Sequence, residues 1–330
     1  MSSRREFITL IGGAAGWPLA ANAQQPKRLP VVALVFAAAP MKEMVGSDPV
    51  NRVAGTFVHA LQQFGWIDGR TVVIERHTAE GDPQRAPVLL ADLLARGVDV
   101  IVLASARWLH EAAQQATRTI PTIADFQDDP VAAGLISSLA RPGGNLTGVT
   151  SAPGPELDAK RLQLLQQLVP TIARTAFLAT RDVLEQHRRI VHAAGMTVIP
   201  VLVDAAEQYD EAFATILRER ADALMVSSSP LNYNHARRIV AFASDNNVPA
   251  MYAFREAVLV GGLMCYGASI PGNFRQVARL VDQILRGARV GEIPTELPTT
   301  FEFVINLKIA KTLGLTVPQT LLALADEVIE

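Results

Sequence analysis

Short apolar runs alternate with longer amphipathic stretches along most of this chain, and the alternation limits the folds that it can adopt. Val31–Phe36 is a continuous apolar run rich in valine, whereas Val50–Phe64 places its apolar side chains at helical spacing. Continuous apolar runs are typical of strands buried on both faces, and the amphipathic helices between them supply the cover. The pattern therefore predicts an α/β protein built on parallel sheets flanked by helices.

The alternation runs through the first half of the chain and then restarts. The first half continues with predicted strands at Thr71–Arg76, Val98–Leu103 and Thr122–Phe126 and predicted helices at Pro83–Arg96, Trp108–Arg118 and Pro130–Ala140. The second series has predicted strands at Arg174–Ala179, Thr197–Val203, Ala223–Ser227 and Pro249–Phe254 and predicted helices at Glu156–Leu168, Leu184–Ala194, Tyr209–Glu219 and Tyr233–Asn246. The tail adds strands at Gly262–Gly267 and Glu302–Ile305 and helices at Asn273–Gly287, Leu307–Leu313 and Leu321–Ile329.

Two series of similar size predict two lobes with a ligand cleft between them. We assign residues 24–149 with 268–298 to the first lobe, and residues 150–267 with 299–330 to the second. The chain then crosses between lobes near Gly148–Ala152, Tyr266–Ala268 and Thr299–Phe303, and these crossings are the expected hinge.

The N-terminus has the pattern of an export signal. Two arginines, Arg4 and Arg5, precede a short apolar stretch, and Ala21–Ala23 fits the small-residue cleavage rule. The paired arginines resemble the twin-arginine signal, and Sec export is the alternative. Residues 1–23 are therefore a predicted signal peptide. The protein is expected in the periplasm, as a monomer that is not embedded in a membrane.

Composition excludes several other classes of protein. Hydrophobic residues make up 49% of the 330 residues, charged residues 19%, and the net charge is −2, so neither disorder nor nucleic-acid binding is indicated. The single cysteine, Cys265, lies in an apolar run and is predicted to be a buried structural thiol. No metal-ligand spacing, nucleotide loop or catalytic motif is present, so we expect no cofactor, no metal and no enzymatic activity.

Several segments, taken in order along the chain, resemble one known family. They include Arg141–Val149 (RPGGNLTGV), Gly261–Gly267 (GGLMCYG), Val304–Lys308 (VINLK) and Leu313–Pro318 (LGLTVP). The chain resembles, essentially end to end, the ABC-transporter substrate-binding family that contains tryptophan- and tyrosine-type binding proteins. The resemblance implies the type I periplasmic-binding fold, a small-molecule ligand and an ABC permease as partner. An aromatic amino acid is the ligand that it suggests, with aromatic acids or other small carboxylates as alternatives.

Ligands of open α/β sheets bind beyond the carboxyl ends of the strands, and this rule selects the candidate contacts. Arg107 is the candidate carboxylate anchor, Trp108 a candidate stacking wall and Asp125 a candidate partner for an ammonium or a hydroxyl. Each has a purely structural alternative. Asp129 is expected to cap the segment that begins at Pro130. The full set of predicted ligand contacts is Ser105, Arg107, Trp108, Asp125, Phe126, Arg181, Asp182, Ser228, Ser229, Tyr252, Arg255 and Glu256.

These features predict a periplasmic solute-binding protein that closes on a small molecule and delivers it to an ABC importer. A ligand-sensing subunit of a membrane receptor or kinase is one alternative, because the same fold serves both uses. An exported α/β enzyme is another. Arg255 and Glu256 also remain open between ligand binding and a latch that joins the lobes.

Overall fold

The computed structural model describes residues 28–104, 106–126, 129–151, 155–186 and 196–330. Within these ranges the chain forms two separate β-sheets. The predicted signal peptide, residues 1–23, lies outside the described residues.

The first sheet has five parallel strands in the order β2-β1-β3-β4-β5. Its strands are β1 (Val31–Phe36), β2 (Val73–Thr78), β3 (Val100–Ala104), β4 (Thr122–Phe126) and β5 (Leu146–Thr150). The helices in this part of the chain are α1 (Met41–Met44), α2 (Arg52–Gln63), α3 (Arg85–Arg96) and α4 (Arg107–Ala116). Crossover helices between parallel strands are what this strand order requires.

The second sheet has seven strands in the order β12-β11-β10-β9-β8-β6-β7, and only the β10–β11 pair is antiparallel. Its strands are β6 (Arg174–Ala179), β7 (Thr197–Leu202), β8 (Ala223–Val226), β9 (Ala250–Tyr252), β10 (Met264–Ala268), β11 (Phe301–Asn306) and β12 (Glu327–Ile329). The helices that follow α4 are α5 (Pro155–Leu168), α6 (Arg181–Gln186), α7 (Tyr209–Arg218), α8 (Pro230–Asn234), α9 (Ala236–Asp245), α10 (Arg255–Leu259), α11 (Ile270–Leu285), α12 (Leu307–Thr312) and α13 (Gln319–Leu324).

Each sheet is buried on both faces, as the continuous apolar runs predict. In β1, Leu34 packs into the apolar cluster formed with α2 and α11, whereas Val35 packs into the cluster formed with α3 and α4 on the opposite face. In the second sheet, Leu224 and Phe177 likewise face different clusters. Side chains alternate between the faces of a strand, so one apolar run serves two cores.

Helix α11 returns the chain to the first sheet after β10. Its apolar face, which includes Phe274 and Val281, packs against α2 and the first sheet. Ser269 caps the helix, because its hydroxyl oxygen accepts the N–H of Gly272. After α11 the chain reaches the edge of β5, where Thr147 Oγ1 donates to the carbonyl of Ile293, before it crosses again to β11.

Close backbone approach makes glycine necessary at the passage from β10 to α11. A Cβ atom on Gly267 would lie 1.9 Å from the carbonyl oxygen of Ala253 and 3.1 Å from the Nη2 atom of Arg161. Arg161 is buried in this region, where its Nε donates to the carbonyl of Tyr266 at 2.6 Å and its Nη1 pairs with Asp158. The tight packing fixes the geometry of the chain at this crossing.

Three predicted elements differ in the structure by more than their bounds, and most of a fourth, the predicted helix Leu184–Ala194, lies outside the described residues. Pro130–Ala140 is not a helix but a series of turns, because Gly134 adopts a left-handed conformation with φ of 70°. Asp129 nevertheless caps the first turn, since its Oδ1 accepts the N–H groups of Val131 and Ala132. The predicted helix Tyr233–Asn246 is two helices, α8 and α9, which are separated at His235.

The third difference is at the C-terminus, where the predicted helix Leu321–Ile329 ends at Leu324. The chain then forms β12, which pairs with β11 at the edge of the second sheet. Asp326 begins this pairing, because its N–H donates to the carbonyl of Phe303 and its carboxylate accepts the N–H of the same residue. The unpaired edge of β11 therefore decides the conformation of the last residues.

The cysteine prediction is confirmed. Cys265 is buried in the apolar cluster of the second sheet, and burial raises the pKa of its thiol to about 12. The thiol therefore stays protonated at neutral pH, and a protonated thiol is a poor nucleophile.

Candidate functional site

The carboxyl ends of strands from both sheets meet at one junction. Phe254, which follows β9 of the second sheet, packs into the apolar cluster of the first sheet together with Phe36 and Phe274. The rings of Phe36 and Phe274 stack with centroids 6.5 Å apart. Tyr233 packs edge-on against Phe254 at 5.3 Å and is also in contact with this cluster. The two halves of the chain are therefore in direct apolar contact at this point.

A buried polar group lies at the same junction. Asp125, at the end of β4, is fully buried, and its Oδ1 accepts hydrogen bonds from Ser151 Oγ at 3.1 Å and from Asn273 Nδ2 at 2.9 Å. Asn273 Nδ2 also donates to Ser151 Oγ at 2.6 Å. The three residues come from β4, the crossing after β5 and the first turn of α11. Tertiary structure alone therefore brings them together.

This polar group has capacity for further hydrogen bonds. Asp125 Oδ2 and Asn273 Oδ1 are both buried and have no hydrogen-bond partner. Burial raises the pKa of Asp125 to about 7, and the hydrogen bonds from Asn273 and Ser151 only partly oppose this effect. Buried polar atoms without partners are costly, and in native proteins they are concentrated where a ligand or a water supplies the missing bond.

The electrostatic environment connects Asp125 to the second sheet. Burial raises the pKa of the Tyr233 phenol, and the negative charges of Glu256 and Asp125 raise it further. Burial also raises the pKa of Glu256, with Glu302 acting in the same direction and Arg52 opposing it. Carboxylates from both halves of the molecule therefore raise the pKa of one tyrosine.

A small pocket opens beside Tyr233 on the side of the second sheet. Aromatic and small apolar side chains dominate its lining, and Glu256 is the one carboxylate among the lining residues. The lining includes Val226, Asn232, Tyr233, Tyr252, Phe254 and Glu256. An apolar pocket with few polar groups is the usual form of a small-molecule site, although this pocket is far smaller than the usual range of about 300–1,000 Å³.

The side chain of Asn232 holds the serine-rich loop after β8 in place through hydrogen bonds. The amide of Asn232 donates to the carbonyls of Leu178 and Ser227, and its oxygen accepts the hydroxyl of Tyr209 at 2.8 Å. Ser229 caps α8 through the N–H of Asn232. The hydroxyl of Ser228, by contrast, is buried without a partner. Of the two predicted serine contacts, Ser229 has a structural partner, whereas Ser228 retains an unused hydroxyl.

Other predicted contacts from the first half lie away from this polar group. Arg107 begins α4, where its Nε donates to Glu111 Oε1 at 2.9 Å, and its side chain is 41% exposed. Trp108 packs on the apolar cluster that α3 and α4 cover. Phe126 is fully buried in that same cluster, edge-on to His110 at 5.3 Å.

In the second half, Arg255 pairs with Glu327 of β12 at 2.5 Å rather than with Glu256. This pair joins α10 to the last strand of its own sheet and is not a contact between the two sheets. Tyr252 is buried in the sheet's core. Arg181, whose side chain is 62% exposed, pairs with Asp204. Ser105 and the side chain of Asp182 lie outside the described residues.

The sequence did not indicate three residues of the junction, namely Ser151, Tyr233 and Asn273. Asn273 carried one weak signal, because it is a polar residue on the apolar face of an amphipathic helix. Ser151 lies 122 positions away from it, and no local pattern links the two.

Two further features of the described residues bear on function. None of the helices within the described ranges is long and apolar enough to cross a membrane. Across those same ranges, no three His, Cys, Asp or Glu side chains are grouped so that they could hold a metal ion.

Comparison with known proteins assigns the chain to a family. Residues 41–329 match the family model described as ABC transporter substrate binding protein. The chain belongs to this family. Proteins of the family are binding and transport proteins rather than enzymes, and they typically act outside the cytoplasm. The family resemblance predicted from the sequence is therefore confirmed.

Individual relatives agree with this assignment. A tyrosine-binding protein of Clostridioides difficile (strain R20291) is 24% identical over 287 residues, which cover 83% of this chain and 80% of the relative. The structure of an ABC domain from Streptococcus pneumonia in complex with L-Trp has a TM-score of 0.79 at 23% identity, with coverage of 91% of this chain and all of that one.

A more distant structure has the same fold. It is a solute-binding protein from R. palustris in complex with benzoate, with a TM-score of 0.51 at 12% identity, and it covers 86% of this chain and 83% of that one. The predicted fold class, two α/β lobes with parallel sheets flanked by helices, is confirmed by these neighbours of the family.

Proposed function

We propose that this protein captures a small organic molecule at the junction of its two sheets and delivers it to the permease of an ABC importer. The observation that carries the proposal is the junction itself. There, Asp125 Oδ2 and Asn273 Oδ1 are buried without partners, and Tyr233, whose pKa the charge of Asp125 raises, lines an apolar pocket of the other sheet. Membership of the substrate-binding family supports the same function.

The proposed mechanism is hinge closure. Residues 24–149 with 268–298 form one moving lobe and residues 150–267 with 299–330 the other, with the hinge at the three crossings. A ligand that touches both lobes only in the closed form shifts the population toward that form. The insertion of Phe254 into the cluster around Phe274 supports this mechanism, because it is a contact that opening would break.

Aromatic amino acids are the ligand class that we favour, with small aromatic carboxylates second. The relatives described above include a tyrosine-binding protein, a complex with L-Trp and a complex with benzoate. The pocket supports an aromatic ligand, because Tyr233, Tyr252 and Phe254 line it and aromatic rings pack well against one another.

The cellular setting follows from the N-terminal pattern. We propose that residues 1–23 are a signal peptide of the twin-arginine or Sec type, and that the receptor works in the periplasm as a monomer without a cofactor. The arginine pair and the Ala21–Ala23 motif support this proposal. Cleavage after Ala23, measured by mass spectrometry of the exported protein, tests it.

The function is tested by asking what the purified protein binds. Small molecules released on denaturation are identified by mass spectrometry, and L-tyrosine, L-tryptophan and benzoate are then tested by thermal shift. A ligand at one hundred times its Kd adds about 2.7 kcal/mol to the free energy of unfolding, so a clear rise in Tm is expected.

A matched pair of variants makes the assay specific to the junction. Phe254→Ala removes a ring that lines the pocket and should lower the ligand-induced rise in Tm. Val88→Ala changes a side chain that is 73% exposed and should not. A protein whose Tm responds to no small molecule, or one that converts its ligand into a product, would contradict the proposed function.

A further inference from the structure

In the group formed by Asp125, Ser151 and Asn273, the two polar atoms without partners both accept hydrogen bonds when Asp125 is ionised. The amide of Asn273 is oriented by its own network, because Nδ2 donates to Asp125 Oδ1 and to Ser151 Oγ and leaves Oδ1 as the free atom. Asp125 Oδ2 is the other atom without a partner, and once the carboxyl is ionised this oxygen only accepts. In the ionised state neither oxygen therefore has a donor among the described residues.

The charge at this group is also uncompensated. Throughout the part of the chain that the structure describes, no Lys, Arg or His side chain forms an ion pair with Asp125; its hydrogen bonds come from neutral Ser151 and Asn273. A buried carboxylate without a cation is strongly disfavoured, and a cationic ligand group is the partner that would offset this cost.

An ammonium group supplies both the hydrogen-bond donors and the positive charge that this site lacks, whereas a hydroxyl supplies only a donor. A primary ammonium has three donors and a positive charge, so it can bond to both free oxygens at once. A hydroxyl has a single donor and no charge. A ligand carboxylate placed here would be repelled by Asp125, and Arg107, the carboxylate anchor predicted from sequence, instead pairs with Glu111 on a partly exposed helix face.

We propose that the junction recognises a protonated primary amine, which donates to Asp125 Oδ2 and Asn273 Oδ1, and that it discriminates against the same molecule without its amine. The inference rests on the proposed function and narrows its ligand class, because it favours amines and amino acids over simple aromatic acids such as benzoate.

Binding of an amine at this site should release the proton that Asp125 carries. Burial holds a large fraction of Asp125 in the protonated form near neutral pH. The ligand arrives as R–NH₃⁺, and Asp125 must release its proton to solvent before an ammonium–carboxylate pair can form. Binding is therefore coupled to the release of up to one proton, and affinity should increase as the pH rises toward 7.

Three probes that share one phenol ring test the inference: L-tyrosine, tyramine and 3-(4-hydroxyphenyl)propionate. The first two carry the amine and the third lacks it. Calorimetric titrations at pH 6.5, in buffers with different enthalpies of ionisation, give both the Kd and the number of protons released. We expect binding and proton release with an amine-bearing probe, and binding at least tenfold weaker for the propionate.

Variants locate the effect. Asp125→Asn keeps the shape of the side chain but removes the charge. It should weaken amine binding about ten- to a hundredfold, the value of one charge-assisted hydrogen bond, and abolish proton release. The control Asp48→Asn changes a carboxylate whose side chain is 87% exposed, and it should alter neither quantity.

The outcomes separate this inference from the proposed function. If the propionate binds as tightly as tyrosine, or if the wild-type protein binds an amine without releasing a proton, the inference is overturned while the receptor function stands. If no small molecule binds at all, both the inference and the proposed function are wrong. The proton count is measured on the wild-type protein, so it decides the question even if Asp125→Asn does not fold.

Discussion

Asp125→Asn should make the protein more stable at alkaline pH relative to wild type, although it removes a residue that we place in the binding site. Asp125 is fully buried, and burial raises the pKa of its carboxyl from 3.8 to about 7. In the unfolded chain the carboxyl ionises from about pH 4 upward, whereas the folded protein retains the proton until about pH 7. The raised pKa therefore destabilises the folded state progressively as the pH rises through this window.

The size of the effect follows from the same two values. Each pH unit in the window corresponds to about 1.4 kcal/mol, so the full range from 3.8 to about 7 corresponds to about 4 kcal/mol. Asparagine does not ionise, so the Asp125→Asn variant does not undergo this pH-dependent loss of stability. Between pH 5 and pH 8 the difference in unfolding free energy, Asp125→Asn minus wild type, should increase by about 2–3 kcal/mol in favour of the variant.

Urea unfolding of both proteins at pH 5 and pH 8, without ligand, measures this difference. The change between the two pH values is the relevant quantity, because asparagine also alters the hydrogen bonds to Ser151 and Asn273 at every pH. Asp245→Asn, at an exposed carboxylate, serves as the control, and its difference in unfolding free energy from wild type should be the same at pH 5 and pH 8. A difference between Asp125→Asn and wild type that is the same at pH 5 and pH 8 would refute the reasoning.

Three further predictions concern other buried groups. His110 is buried without partners, and burial lowers its pKa to about 3, so wild type should lose about 2 kcal/mol of stability between pH 7 and pH 5 that His110→Leu does not lose, as measured by urea unfolding. Arg161→Leu leaves Asp158 buried without its cation and should cost about 3–5 kcal/mol by the same method. Phe254→Ala weakens the contact between the sheets and should increase the radius of gyration of the ligand-free protein in X-ray scattering.

For each of these three predictions, one experimental result would contradict the reasoning. An equal loss of stability in His110→Leu and wild type at pH 5 would mean that His110 takes up its proton in the folded state as easily as in the unfolded chain. A fully stable Arg161→Leu would show that Asp158 does not depend on its pair. An unchanged radius of gyration in Phe254→Ala would show that other contacts hold the sheets together.

The sequence predicted the elements whose identity depends on burial alone. Val31–Phe36, Thr122–Phe126 and Arg174–Ala179 form strands with the predicted bounds, because a continuous apolar run fits only a strand that is covered on both faces. The strand Leu146–Thr150 was not predicted, since Thr147 and Gly148 interrupt its apolar character. Gly148 is nevertheless required there, because a Cβ would lie 1.9 Å from the carbonyl oxygen of Ala124.

The candidate site was predictable only in part. Asp125 and Glu256 could be named, because both follow strands whose carboxyl ends point toward the expected cleft. Their roles could not be predicted, because the sequence does not show that Asp125 lies in a polar network and that Glu256 lines a pocket. Arg107 shows the converse. Its position after a strand fits a ligand contact, yet it pairs with Glu111, which lies one turn along its own helix.

The sequence thus determined the α/β class and the order of most strands and helices, because the alternation of apolar and amphipathic segments depends only on neighbouring residues. Its motifs also indicated the family. Tertiary structure alone decided that Asp125, Ser151 and Asn273 form one buried group and that two of its oxygens lack a donor. The physical reason is that desolvation and hydrogen-bond satisfaction depend on residues far apart in the chain, and these become neighbours only when both sheets have formed.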